Sequence, residues 1–121
     1  MITPNFFILY VDNPTASVAF YQALLGHPPL EASPTFAMFK LESGVMLGLW
    51  SRHTVKPGAG TLGTEGEIAF CVSDKALVDA THTDWVNKGL PVVQTPQHLD
   101  FGYTFVALDP DGHRLRVFVP E

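Results

Sequence analysis

Apolar and polar positions run through the same order twice along this chain. Phe6 to Val11 reads FFILYV, an apolar run bounded by Pro4-Asn5 and Asp12-Asn13-Pro14, and predicts a strand covered on both faces. Asn13 then suits a helix N-cap, with Pro14 at the first helical position. Ala16, Ala19, Phe20, Ala23 and Leu24 share one helical stripe, and Gly26 suits the C′ position that ends it. His27-Pro28-Pro29 breaks the chain before an edge strand around Leu30 to Ala32. Phe36 to Trp50, FAMFKLESGVMLGLW, reads as a hairpin turning at Glu42-Ser43-Gly44.

Ser51 to Gly66, SRHTVKPGAGTLGTEG, has no hydrophobic period and reads as a linker. Its glycines lack the Gly-Lys-Ser/Thr ending of a phosphate cradle. The second half then repeats the first. Glu67 to Val72 predicts a strand, Ser73 or Asp74 caps a helix to about Lys88, and Gly89 follows its end. Val78, Thr81, His82 and Trp85 share one face of that helix. Pro91 to Thr95 reads as a strand and Gln97 to Gly102 as a loop. Tyr103 to Leu108 and Leu115 to Val119 flank Asp109-Pro110-Asp111-Gly112, whose proline, carboxylates and glycine all favour a tight turn. The order is therefore β-α-β-β-β twice, with Val11 matched to Val72, Gly26 to Gly89 and Gly44 to Gly112.

Composition narrows the function. With 121 residues, 46% hydrophobic and 16% charged, the chain suits one domain of two repeats: about 1–50, a linker 51–66, and 67–121. A net charge of −5 offers no basic stripe and argues against nucleic acid as a partner. The single cysteine permits no intrachain disulfide, which suits a reducing cytoplasm. The chain shows no signal peptide and no apolar run long enough for a membrane span. Nine Phe, three Tyr and two Trp exceed what a core of this size obviously needs, and hint at an aromatic-lined site or interface.

The doubled βαβββ pattern, with VDNPTASVAFYQALLG, GEIAFCVSD and LDPDGHRLRVF, resembles the vicinal oxygen chelate superfamily of glyoxalases, bleomycin-resistance proteins and dioxygenases. ITPNFFILYV and LGLWSR look most like its phenazine- and bleomycin-binding branch. The resemblance implies an α+β fold, two βαβββ modules forming a cupped mixed sheet, and a homodimer. It also implies four metal-ligand positions in the enzymes, which fall here on Phe6, Gly48, Glu67 and Arg116. Phe6 and Glu67 each precede the matched valine by five residues, while Gly48 and Arg116 each follow the matched glycine by four. Of these only Glu67 has a side chain suited to a divalent cation, and Arg116 would put a fixed positive charge there. The expectation is no metal and no cofactor.

Strand alternation extends this face to Ile8, Tyr10, Met46, Trp50, Ala69, Cys71, Arg114 and Phe118. Phe36 and Met38 should join it, with Tyr103 and Phe105 as their repeat equivalents. Phe7, Leu9, Val11, Ile68, Phe70, Leu115, Val117 and Val119 should pack under the helices. The expected site is thus aromatic and sulfur-lined around a Glu67–Arg116 pair, with Gly48 leaving room for a flat ring and Trp50 as the stacking platform. Each feature also has a plainer reading: aromatic stripes as core, Trp50 as a dimer contact, and Glu67–Arg116 as a structural ion pair. The five histidines form no cluster by spacing, and Asp100 near His98 is only a weak acid/base signal. The function expected is non-catalytic sequestration of a planar aromatic antibiotic-like molecule. The alternative is a metal-dependent lyase, isomerase or dioxygenase with shifted ligands.

Overall fold

The computed structural model describes residues 5–60 and 67–121. The Pro4 side of the first turn and residues 61–66 of the linker lie outside them. Two compact units divide the chain, one ending and the next beginning within residues 61–66. Each contains one four-stranded mixed sheet and one helix, an α+β arrangement.

In the first unit the elements are β1 (Phe6–Val11), α1 (Pro14–Leu25), β2 (Glu31–Ala32), β3 (Phe36–Lys40) and β4 (Met46–Ser51). The sheet order is β1-β4-β3-β2, with β1 parallel to β4 and the other pairs antiparallel. Asn13 caps α1, its Oδ1 accepting from the amides of Thr15 and Ala16 at 3.1 and 3.4 Å. Gly26 ends the helix in the left-handed conformation at φ 81°. The buried face of α1 is Pro14, Ser17 and Tyr21 rather than the alanine-rich stripe; Ala16, Ala19 and Ala23 are exposed. An alanine gains little from burial, whereas the Tyr21 ring has far more apolar area to remove from water. Tyr21, Val11, Ala37, Phe39, Leu47 and Leu49 are buried, the last four on the β3–β4 face opposite Met38 and Gly48.

β1 departs from the expectation of burial on both faces. It is an edge strand, and Phe6, Phe7, Ile8 and Tyr10 are 40 to 53% exposed in the single chain. Phe7, expected under the helix, is the most exposed of them. After β4 the linker begins as a folded turn. The Ser51 carbonyl accepts from the amides of Thr54 and Val55, His53 pairs with Asp12 at 2.7 Å, and Val55 is buried.

In the second unit the elements are β5 (Glu67–Cys71), α2 (Lys75–Asn87), β6 (Val92–Leu99), β7 (Gly102–Leu108) and β8 (Arg114–Pro120). The order β5-β8-β7-β6 repeats that of the first sheet. Asp74 is the N-cap, accepting from the Leu77 amide at 2.8 Å. Lys88, at the helix end, pairs with Asp84 at 2.6 Å. β6 runs on through Pro96 to Leu99, beyond the expected limit at Thr95. It does so as an edge strand with register shifts between Val92 and Gln97, where a proline without an amide hydrogen is tolerated.

The core beneath α2 is built on aromatic edges. Trp85 meets Phe70 and Phe105 at centroid distances of 5.5 and 5.4 Å, and His82 meets Phe105 at 5.2 Å. Phe105, Ala107, Leu115 and Val117 are fully buried there. The β7–β8 turn is tied by Asp109. Its Oδ1 accepts from the amides of Asp111 and His113, and its Oδ2 pairs with His113 Nδ1 at 2.7 Å.

Candidate functional site

Each sheet has a face turned away from its helix, and these faces hold most of the candidate residues. In the first unit, register places Phe6 beside Met46, Ile8 beside Gly48 and Tyr10 beside Trp50. Gly48 in turn lies beside Met38, and Trp50 beside Phe36. All eight share one face, as alternation required. Trp50 and Phe36 meet edge to face at 6.0 Å and 88°. The space expected above Gly48 is filled from within. An added Cβ would stand 2.9 Å from Phe6 Cε1 and 3.2 to 3.3 Å from Ile8 and Phe36 atoms. Gly48 therefore admits the protein's own Phe6 ring rather than a vacant slot.

In the second unit Glu67 pairs in register with Arg114, Ala69 with Arg116 and Cys71 with Phe118. Arg116 holds the centre of this face. Its Nε donates to Glu67 Oε1 at 2.7 Å, and its Nη1 donates to Thr104 Oγ1 at 3.2 Å and Gln94 Oε1 at 3.3 Å. The Thr104 hydroxyl donates to the Val117 carbonyl at 2.8 Å, so its oxygen is oriented to accept from the guanidinium. The two ionic side chains are 15% and 33% exposed, so the pair contributes on the order of 1 kcal/mol, not the ~3–5 of a sealed pair that loses one partner.

Tyr103 and Phe105 do not belong to this face. Phe105 is enclosed against Trp85 and His82, and the Tyr103 hydroxyl donates to Asp79 of α2 at 2.7 Å. The bond to Asp79 is the main cause holding the Tyr103 phenol above its ordinary pKa, with burial and the carboxylate's charge acting in the same direction. The parity differs by one from expectation. Thr104 lies beside Phe118 and Val106 beside Arg116, and the offset that carries Gly44 onto Gly112 also carries Phe36 onto Thr104 and Met38 onto Val106. Two large aromatics gain more under the helix than on a half-open face.

Sequence reasoning also missed Phe101, assigned to a loop. Its ring lies 5.5 Å from the Arg116 guanidinium carbon and 5.9 Å from the Phe118 ring, and it is 43% exposed. No periodicity marked it, because it sits in the turn between β6 and β7. The His98–Asp100 signal fails: His98 lies in β6 and bonds Glu121 at 2.7 Å. Cys71 is a free, exposed thiol on the Glu67 face.

The four positions that hold metal in the enzymes do not fit a divalent cation. In the first unit a phenyl ring covers a glycine, and in the second the only carboxylate is engaged by arginine. Among the described residues no group of three or more His, Cys, Asp or Glu could hold a metal ion.

The chain belongs to the Glyoxalase/Bleomycin resistance protein/Dioxygenase superfamily, whose family model matches residues 3–117. A phenazine antibiotic resistance protein, EhpR of Enterobacter agglomerans, is 28% identical over 119 residues, spanning 96% of this chain and 91% of that protein. The solution structure of protein ATC0852 from Agrobacterium tumefaciens shares 55% identity at a TM-score of 0.91, covering 100% of this chain and 99% of that one. A glyoxalase-related enzyme from Fulvimarina pelagi shows the same fold, with a TM-score of 0.83 at 19% identity over 98% of this chain and 88% of that one.

Proposed function

We propose that this protein binds a planar aromatic, antibiotic-like molecule and sequesters it without converting it. The observation that carries the reading is the Arg116–Glu67 pair at metal-ligand positions, matched in the first unit by Phe6 over Gly48. These substitutions remove the Lewis acid of the enzymes and leave aromatic, thioether and guanidinium surfaces. Such surfaces suit a flat ligand. The similarity to EhpR, a phenazine antibiotic resistance protein, points the same way. Tolerance would follow by mass action, one protein for each toxin molecule bound.

Titration with phenazine compounds should give saturable binding between micromolar and high nanomolar, about −8 to −9 kcal/mol. Chromatography after long incubation should return the compound unchanged. A consumed ligand would make the protein an enzyme and reject sequestration.

A second part of the proposal concerns assembly. β1 leaves four large apolar side chains exposed on an edge strand, a surface that calls for cover by a second copy. A homodimer is the expected result of sedimentation at micromolar concentration, and a monomer there would refute it. No helix among the described residues is long and apolar enough to cross a membrane. The free Cys71 thiol fits action in the cytoplasm.

A further inference from the structure

The Arg116 guanidinium has two kinds of edge. Its Nε and Nη1 are committed to Glu67, Thr104 and Gln94, which fix the plane of the group. Its Nη2 has no partner among the described residues. Among the described residues no buried side-chain nitrogen or oxygen lacks a partner, so this amino group keeps some contact with solvent. A guanidinium fixed on one edge and open on the other is already oriented for an incoming acceptor, and little side-chain entropy remains to be lost on binding.

Charge on the same face favours an anion as that acceptor. Besides His98, the four strands of this sheet carry only Glu67, Arg114 and Arg116 as charged side chains. Arg116 neutralises Glu67, and exposed Arg114 stands opposite Glu67 on the same face without an ion pair among the described residues. This face therefore carries a positive excess on a chain whose net charge is −5. The residues beside Arg116 supply the other half of a ligand's chemistry. The half-exposed Phe101 ring stands next to the guanidinium and meets Phe118, and the neighbouring positions on β5 are the small residues Ala69 and Cys71. The small side chains of Ala69 and Cys71 leave room on this face for an acidic substituent to approach Nη2.

We infer that the ligand is an aromatic carboxylic acid, bound as its carboxylate to Arg116 Nη2 with Arg114 as supporting charge. This rests on the sequestration reading above and narrows it to a chemical class.

Calorimetric titration of the full chain with phenazine-1-carboxylate, its neutral carboxamide and unsubstituted phenazine tests it near pH 7. The carboxylate should bind about tenfold more tightly than the carboxamide, and rising salt should shrink that ratio. Arg116→Met should bring the ratio close to one. Because Arg116→Met can disturb folding, Arg114→Gln, on an exposed side chain, serves as the second variant and should lower the ratio about twofold. Equal binding of carboxylate and carboxamide overturns the carboxylate inference alone, as does a ratio that survives both substitutions. If none of the three compounds binds, the sequestration reading falls with it.

Discussion

Asp109→Ala should destabilise the protein by about 3 kcal/mol, read as a shifted midpoint in denaturant unfolding. The Asp109 side chain is fully enclosed and serves several donors at once: the amides of Asp111 and His113 through Oδ1, and the His113 ring through Oδ2. Alanine removes the acceptor that those two amides share, beneath a turn whose backbone already bonds Asp109 to Gly112 and His113. Asp109→Asn keeps an oxygen for the two amides and should lose markedly less. A loss within experimental error for alanine would show that the backbone bonds hold the turn unaided. The same pair sets a pH dependence. The bond to Asp109 raises the His113 pKa above 6.5, burial opposes it, and the charges of Asp109 and Asp111 reinforce it. A folded-state pKa above the unfolded one means that this stabilisation is fully present below about pH 6.5 and fades as pH rises through the folded value. His113→Gln should flatten that part of the stability profile.

How much of this was legible depended on what each residue answers to. Caps were legible because they are local: Asn13, Asp74, Gly26 and Gly89 satisfy backbone groups within a few residues. The Glu67–Arg116 contact was legible because both residues fall on positions where the family resemblance implies ligands of one metal. What failed depended on tertiary burial. A stripe of alanines cannot reveal which helix face is buried, so α1 turned its Tyr21 side inward. Alternation in β7 was clear, but an apolar run such as YTFVAL does not show which of its faces is covered, and the choice placed Tyr103 and Phe105 under α2. Thr104 and Gln94, which orient Arg116, resembled ordinary strand polar residues, and Phe101 lay in a turn where period carries no information.

Trp50 carries the largest expected effect on ligand binding. It lies on the open face of the first sheet, half-buried, with its indole edge to face with Phe36 and thioethers at Met38 and Met46 on the same face. An indole plane there can take an offset-stacked heteroaromatic ring, which adds an orienting contact to simple burial. Its emission should fall as a phenazine is titrated in. Trp50→Ala should weaken binding by about 1.5–3 kcal/mol, roughly ten- to hundredfold, whereas Trp50→Phe keeps a ring and should keep much of the affinity. Trp85 provides the internal control. It is 5% exposed, with its ring enclosed between Phe70 and Phe105 beneath α2. In Trp50→Phe the remaining Trp85 emission should stay level during titration, apart from inner-filter loss corrected with free indole. Undiminished affinity in Trp50→Ala would remove the indole from the binding site.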